Sequence, residues 1–244
     1  MDKSFLYRIH SEQISSFKSK IVSKFSENHY DYFLKFIISN IPLYYIFSTY
    51  DAELFEKTVY IYDIATEKLK TKDGKPRQYK LQVDLLDTIY EDPKKLMDTS
   101  FLFFGFNGSG KTHTAIHMLS YMVDNGQTGY YIQSKDLVAL THACSYNKDI
   151  GQDSKDLLQY IYTCDFLVID ELGKEPLTDP SLVALEMVMK ARQAALVSTA
   201  FVSNHSYNEI KDNYKSSIWS ALCKNYVLIW FDKNGLFRHK TRLQ

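Results

Sequence analysis

The sequence predicts an α/β fold, a doubly wound sheet of five parallel strands with helices packed on it. Three observations support this prediction. Short apolar runs alternate with longer segments of helical periodicity. A glycine-rich loop joins the first core run to a helix, and two adjacent acidic residues end a later run. The chain has 244 residues, enough for one domain of this kind with a modest extension.

The beginning of the chain predicts a short helical arm. Apolar side chains recur at helical spacing in residues 11–26, which favours an amphipathic helix. These side chains are Ile14, Phe17, Ile21 and Phe25. They either pack between helices or dock a partner protein, and the sequence leaves both open. We assign residues 1–40 to this arm and residues 41–244 to the α/β domain.

A basic segment separates the arm from the first core strand. Residues 58–80 fit a strand or a helix, and Asp73-Gly74-Lys75-Pro76 predicts a turn within them. Basic side chains surround this turn: Lys68, Lys70, Lys72, Lys75, Arg77 and Lys80. They form either a solvated loop or a contact for single-stranded nucleic-acid phosphates. Residues 81–90 then predict a helix.

The glycine-rich loop follows an apolar strand at residues 101–104. It reads Gly105-Phe106-Asn107-Gly108-Ser109-Gly110-Lys111-Thr112, the spacing of a phosphate-binding loop. Its backbone N–H groups, and the N-terminus of the helix predicted over residues 113–123, would cradle anionic oxygens. Lys111 would contact the β and γ phosphates, and Thr112 would hold Mg²⁺. We therefore expect this segment, the phosphate loop, to bind ATP or GTP.

Four more strands and three more helices complete the predicted sheet. The strands are expected at residues 129–133, 165–169, 200–204 and 226–231, and the helices at residues 134–143, 156–162 and 181–195. The third strand ends in Asp170-Glu171. A carboxylate at the end of a buried parallel strand lies beside the phosphate loop in such a sheet. Asp170 would then hold the metal, and Glu171 would act as the base on the attacking water; the alternative is an ordinary surface turn.

Composition limits the remaining possibilities. Twenty-nine basic and 29 acidic residues give a net charge of zero, so there is no overall basic signature of nucleic-acid binding. The cysteines Cys144, Cys164 and Cys223 lack metal-ligand spacing and suit a reducing cytosol. We see no signal peptide and no apolar stretch long enough to span a membrane. A cytoplasmic protein is the expectation.

Three segments together resemble the AAA+ helicase loaders of bacteria and phages, the DnaC/DnaI group, and the related IstB-type helper ATPases of transposases. They are residues 105–115, Asp170-Glu171-Leu172-Gly173-Lys174-Glu175, and Val202-Ser203-Asn204. The Lys-Thr-His triplet at the end of the phosphate loop is typical of this group. Ile41-Pro42 with Tyr44 resembles the start of the family's ATPase domain, so the resemblance covers residues 41–243.

The resemblance implies roles for individual residues. Catalytic roles fall to Lys111, Glu171 and Asn204, with Asn204 as the sensor-1 group. Metal binding falls to Thr112 and Asp170. Nucleotide contacts fall to Gly105, Asn107, Gly108, Ser109, Gly110, Lys111, Thr112, His113 and, as the sensor-2 arginine, Arg238. Glu175 matches a second acid of the family. Because only six residues follow Arg238, the resemblance also implies that a helical lid is absent.

One position departs from the family pattern. The family carries a Ser-Arg-Leu-like triplet whose arginine reaches the neighbouring subunit's nucleotide, whereas this chain has Ser220-Ala221-Leu222. Lys224 lies nearby, and Arg192 matches a basic position of the family near a subunit boundary. Without an arginine finger, we expect the protein alone to hydrolyse ATP very slowly.

Three functions are compatible with the residues. The first is a loader that binds a hexameric replicative helicase through the arm and assists its placement on single-stranded DNA, with self-association through the ATPase domain. The second is an IstB-type helper of a transposase on duplex DNA. The third, a small-molecule kinase, fits least, because Glu171 and Asn204 suit hydrolysis better than phosphoryl transfer. The short aromatic arm and the neutral charge favour the loader.

Overall fold

A computed structural model of the chain describes residues 59–63, 68–69, 71–72, 75–76, 99–124, 127–214 and 216–231. The predicted arm, the domain boundary at residue 41 and Arg238 lie outside these residues. So do the helix predicted over residues 81–90 and the segment after Arg238 on which the missing lid was inferred.

The described elements alternate strands with helices over most of the chain. The strands are β1 (Val59–Asp63), β2 (Lys68–Leu69), β3 (Thr71–Lys72), β4 (Lys75–Pro76), β5 (Ser100–Gly105), β6 (Gly129–Gln133), β7 (Phe166–Leu172), β8 (Ser198–Ser203) and β9 (Tyr226–Phe231). The helices are α1 (Lys111–Asp124), α2 (Ser134–Tyr146), α3 (Gln152–Thr163), α4 (Asp179–Ala194), α5 (Tyr207–Asn213) and α6 (Ser216–Asn225). None of these helices is long and apolar enough to cross a bilayer.

The main sheet has the strand order β2-β1-β9-β5-β8-β7-β6. Strands β9, β5, β8, β7 and β6 are mutually parallel, which confirms the predicted five-stranded parallel sheet. The structure adds β1, which pairs antiparallel with β9, and β2, which pairs antiparallel with β1. The ambiguous segment at residues 58–80 therefore contains a strand, and within it β3 pairs antiparallel with β4.

The two faces of the sheet bury different side chains, because successive residues of a strand point to opposite sides. On one face Leu102, Ile169 and Phe201 pack with residues of α2, α3, α4, α5 and α6. On the other face Phe103 and Val168 pack with residues of α1. Helices thus cover both faces, and the carboxyl ends of the parallel strands meet along one edge, here called the carboxyl edge.

Helix α5 was not predicted. It begins with a capping box, in which Ser206 accepts a hydrogen bond from the Glu209 N–H and the Glu209 carboxylate accepts one from the Ser206 N–H. The Ser-x-x-Glu pattern is the sequence signal that could have revealed it. Strand β7 also runs beyond the predicted residues 165–169 and includes both Asp170 and Glu171.

Candidate nucleotide-binding site

The phosphate loop connects β5 to α1 at the carboxyl edge. Gly105, Gly108 and Gly110 have φ values of 120°, 74° and 91°, a region that side chains other than glycine rarely adopt. A Cβ at Gly105 would also collide with the carbonyl oxygen of Phe231 in β9. Glycine is therefore required at the start of the loop both by its backbone conformation and by the adjacent strand.

Lys111 begins α1 and turns its side chain back into the loop. Its Nζ donates to the carbonyl oxygens of Gly105 at 2.9 Å and Phe106 at 2.5 Å. The residue is 4% exposed, and burial lowers the pKa of its amine to about 8, partly offset by the charge of Asp170. The amine is thus poised among the loop's backbone atoms, next to the place where phosphate oxygens are expected.

Asp170 joins the phosphate loop to the acidic strand. Its Oδ1 accepts a hydrogen bond from Thr112 Oγ1 at 3.2 Å and another from the Glu171 N–H at 2.7 Å. Its Oδ2 accepts one from the Tyr131 hydroxyl at 2.8 Å. Burial raises the pKa of this carboxyl group, against the lowering effect of the hydrogen bonds. Two residues that the sequence placed at one metal site are therefore in contact.

Glu171 is held differently from Asp170. It is a non-glycine residue at a φ of 58°, and its carbonyl accepts hydrogen bonds from Ser134 Oγ at 2.8 Å and the Lys174 N–H at 3.0 Å. Its carboxylate is 28% exposed and lies 2.6 Å from Lys174 Nζ. The backbone is thus fixed by neighbouring groups, while the candidate base itself faces the open edge and is paired with a lysine.

The segment after Glu171 is tied to the segment after β8. Glu175, although acidic, is 3% exposed; it accepts hydrogen bonds from the Gly173 N–H at 2.9 Å and from the Tyr214 hydroxyl. A Cβ at Gly173 would collide with the ring of His205. The buried carboxylate of Glu175, the residue that matches the family's second acid, therefore links the segment after Glu171 to Tyr214 by hydrogen bonds.

Three other residues predicted to contact the nucleotide lie within the described part of the chain: Asn204, Asn107 and His113. Asn204 is exposed at the carboxyl end of β8, and β8 lies between β5 and β7 in the sheet. This strand order puts Asn204 between the phosphate loop and the acidic residues. Asn107 is exposed in the loop, and His113 is buried in the first turn of α1.

Arg192 does not lie at a surface. It is 1% exposed at the amino edge of the sheet, the edge opposite the phosphate loop. Its guanidinium donates to Thr199 Oγ1 at 2.7 Å, to the carbonyls of Ile161 at 2.6 Å and Cys164 at 3.0 Å, and to the carbonyl of Ser198. The interpretation of Arg192 as a finger candidate near a subunit boundary is wrong, because its donors are already engaged inside the fold.

The alternative basic candidate lies on a surface. Lys224 is exposed, and with Ala221 it lines a cavity of about 490 Å³ at the amino edge, beside Arg192. Within the described residues, Lys224 is thus the basic candidate that a neighbouring molecule could reach.

Three side chains that shape the site were not predicted from the sequence. Tyr131, Ser134 and Lys174 hold Asp170 Oδ2, the Glu171 carbonyl and the Glu171 carboxylate. A usable signal existed for the first, since a buried tyrosine in a strand needs a partner for its hydroxyl. The other two depend on loop conformation, which spacing along the chain does not reveal.

The donor set suits Mg²⁺. The hydroxyl of Thr112 and the carboxylate of Asp170 are hard oxygen ligands within 3.2 Å of each other. Mg²⁺ is commonly bound through one or two protein oxygens together with phosphate oxygens and waters, and not by a dedicated protein cage. The described residues contain no group of three or more His, Cys, Asp or Glu side chains around a point, as this mode of binding allows.

The central part of the chain is similar to known ATP-binding proteins. Residues 97–221 match the family of IstB-like ATP binding proteins. The uncharacterized protein YdaV of Escherichia coli K12 is 32% identical over 127 residues, which are 52% of this chain and 50% of YdaV. The replicative helicase loader DnaC of Buchnera aphidicola subsp. Baizongia pistaciae is 28% identical over 112 residues, 46% of this chain and 45% of that protein.

A solved structure supports the fold assignment. The crystal structure of the DnaC helicase loader superposes with a TM-score of 0.52 at 24% identity, covering 66% of this chain and 95% of that one. The chain spans about half the length of the curated relatives it matches. With the family match extending over half of its residues, the chain belongs to the IstB-like ATP-binding proteins and is similar to the DnaC helicase loaders.

Proposed function

We propose that this protein is an ATP-dependent helicase loader, which binds Mg²⁺-ATP at the carboxyl edge and uses it as a switch. The observation that carries the proposal is the contact between Thr112 and Asp170, at 3.2 Å. It joins the phosphate loop and the acidic strand, which are far apart in sequence, in the arrangement that nucleotide hydrolysis needs.

Binding begins at the phosphate loop. The triphosphate lies against the loop's N–H groups and the N-terminus of α1. Lys111 exchanges its hydrogen bonds to Gly105 and Phe106 for the β and γ phosphates, and the negative charge favours the protonated amine. Thr112 and Asp170 would hold Mg²⁺, which neutralises charge that develops on the phosphates.

Hydrolysis requires a base and a positioned water. Glu171 is the candidate base, and Asn204, at the end of the strand between the loop and the acidic residues, is the candidate contact for the γ-phosphate. Glu171 Oε1 pairs with Lys174 Nζ at 2.6 Å, so the lysine holds one of the two oxygens that could accept the proton.

A slow rate fits the switch. Ala221 cannot supply an arginine finger, and Arg192 is occupied inside the fold. A finger contributes on the order of 10³–10⁵ in rate, so without one at position 221 or 192 the protein alone would hydrolyse bound ATP slowly. A partner that supplies the missing positive charge would then determine when ATP is hydrolysed.

The proposed partner is a hexameric replicative helicase together with single-stranded DNA. The support is the similarity to DnaC proteins described as replicative helicase loaders. We assign the helicase contact to the arm at residues 1–40, with Phe17 and Phe25 as anchors, because an apolar helix face suits docking in a groove. Self-association through the ATPase domain completes the proposal.

The nucleotide site is tested by calorimetry with ATP and Mg²⁺. Lys111→Ala removes the charge on the phosphates and should abolish measurable binding. Lys190→Ala removes an exposed lysine of α4, away from the loop, and should bind as the wild type does. Equal affinity in the wild type and Lys111→Ala would refute the site.

The partner is tested by purifying the tagged full-length protein from its own cells and identifying the bound proteins by mass spectrometry. We expect a replicative helicase, and we expect Phe17→Ala with Phe25→Ala to lose it while keeping ATP affinity. Recovery of a transposase would contradict the loader and indicate the transposition helper. Loss of ATP binding in the double variant would indicate that both rings pack in the ATPase domain.

A further inference from the structure

The hydrogen bond from Tyr131 holds Asp170 Oδ2, but none of the proposed steps of nucleotide binding or hydrolysis uses it. Tyr131 lies in β6 and pairs with Val168 of β7, two residues before Asp170. Residues two apart in a strand share a face, so the phenol crosses diagonally to the carboxylate and reaches Oδ2 at 2.8 Å.

With this bond, the two oxygens of Asp170 accept hydrogen bonds from different elements of the fold. Oδ1 accepts from Thr112 Oγ1 of the phosphate loop and from the Glu171 N–H of β7. Oδ2 accepts from Tyr131 of β6. A carboxylate held by donors at both oxygens cannot rotate about its Cβ–Cγ bond without losing some of them.

Burial makes the tyrosine hard to replace. Tyr131 is 1% exposed and Asp170 is 5% exposed, so bulk water does not readily take over the position of the phenol. A buried acceptor left without its donor is destabilised, and more so when it is charged. A carboxylate deprived of Tyr131 would turn towards another donor, and Oδ1 would then leave Thr112.

From this geometry we infer that Tyr131 is a positioning residue for Asp170: its hydroxyl aims the carboxylate at Thr112 and so sets the Mg²⁺-dependent part of ATP affinity. The inference rests on the proposed nucleotide site and deepens it. Tyr131 acts through Asp170 and touches neither nucleotide nor metal. Partners that orient a metal-binding side chain typically contribute about 10- to 100-fold in metal affinity.

The test separates Mg²⁺-dependent from Mg²⁺-independent binding. ATP affinity of the full-length protein is measured by calorimetry with Mg²⁺ and again with EDTA, for the wild type and Tyr131→Phe. Phenylalanine keeps the ring and removes only the hydroxyl. We expect Tyr131→Phe to lose about 10- to 100-fold in affinity with Mg²⁺ and nothing with EDTA.

Tyr160→Phe is the matched control. Tyr160 is also buried and its hydroxyl also makes a hydrogen bond, to the carbonyl of Gly129 at 3.2 Å, but it packs on the opposite face of the sheet. We expect it to lower stability by an amount similar to Tyr131→Phe and to leave ATP affinity unchanged in both conditions. A general effect of losing a buried hydroxyl would appear in both variants.

A double-mutant cycle with Asp170→Asn adds a second readout. If Tyr131 acts through Asp170, Tyr131→Phe should have no further effect on Mg²⁺-dependent affinity once the carboxylate is gone. Full additivity of the two substitutions would overturn the inference, as would a loss of equal size with Mg²⁺ and with EDTA, or no loss at all. Absence of ATP binding in the wild type would instead overturn the proposed function, and this inference with it.

Discussion

Lys111 and Arg192 are two buried cations at opposite edges of the same sheet, and they differ in what they hold. Lys111, at the carboxyl edge, donates to two carbonyls of its own loop and lies near Asp170. Arg192, at the amino edge, donates to α3, to the segment after it and to the start of β8, and none of these acceptors is a carboxylate. Both are almost completely buried, so burial alone does not distinguish the cation proposed to bind phosphate from the one that holds the fold together.

The two cations differ in whether a ligand could replace the hydrogen-bond acceptors that they have in the fold. The partners of Lys111 are backbone carbonyls of one glycine-rich loop, and its compact ammonium group can exchange them for the oxygens of a phosphate. The partners of Arg192 belong to separate elements, and its planar guanidinium connects them in a fixed geometry. A buried cation whose partners lie in one glycine-rich loop therefore indicates a binding site, whereas one that joins separate elements indicates a structural role.

The largest effect is expected at the carboxyl edge, from Glu171→Gln. Removing the base should lower the single-turnover rate of ATP hydrolysis by about 10²–10⁴ and leave ATP affinity intact, because Asp170 still serves the metal. Glu186→Gln is the control, since Glu186 is equally exposed and pairs with Lys190 at 2.7 Å on α4. An unchanged rate in Glu171→Gln would mean that another group is the base.

At the amino edge, Arg192→Met should destabilise the fold by about 3–5 kcal/mol, because several buried carbonyls lose their donor together. Urea denaturation measures this loss, with Lys190→Met as a control for truncating a basic side chain of the same helix. ATP affinity below the unfolding transition should not change. If Arg192→Met were as stable as the wild type but failed to hydrolyse ATP, Arg192 would be an arginine finger and not a structural cation.

The pKa of Lys111 gives a smaller effect with a defined sign. Burial lowers it from 10.5 to about 8, so between these values the unfolded chain binds more protons than the folded one. Stability therefore rises with pH in this window. From about pH 7 to about pH 9, the free energy of unfolding should rise by about 1 kcal/mol relative to Lys111→Met, which does not titrate. Parallel stability curves would show that the amine is not desolvated in solution.

The smallest effect is expected for the exposed pair beside the site. Lys174→Met frees Glu171, and because exposed ion pairs contribute about 0.2–1 kcal/mol, hydrolysis should accelerate by at most about fivefold. Lys190→Met breaks a pair of similar exposure, Lys190 with Glu186, and should leave the rate unchanged. A slower Lys174→Met would show that Lys174 assists the reaction and does not restrain the base.

The sequence was sufficient to predict the five parallel strands and the meeting of the phosphate loop with Asp170. Parallel strands bring their carboxyl ends to one edge, so a loop after one strand and acids after another meet whatever the intervening chain does. That is why Lys111, Thr112 and Asp170 could be assigned from spacing alone. The contact between Thr112 and Asp170 confirms that these residues come together, while their roles in binding and catalysis stay predictions.

The rest depended on which elements become neighbours. The acceptors of Arg192 include carbonyls 28 and 31 residues earlier in the chain, and no local pattern reveals them. Tyr131 reaches Asp170 only because β6 pairs with β7 at a particular register. The strand at residues 59–63 was left open between strand and helix for a similar reason, since its partner β9 follows more than a hundred residues later.

The position of β5 in the sheet has a consequence for the order of synthesis. This strand carries the phosphate loop, but both of its neighbours, β8 and β9, are translated long after it. The loop also relies on β9 directly, through the hydrogen bond from the Phe106 N–H to the Phe231 carbonyl at 3.3 Å. When translation has reached Thr112, the nascent chain contains the whole motif but neither β8 nor β9, the two strands that pair with β5. Because pairing over such sequence distances forms late, we expect the polypeptide to become competent for nucleotide only after β9 has been translated, and a chain stalled before Tyr226 to carry the motif without a formed pocket.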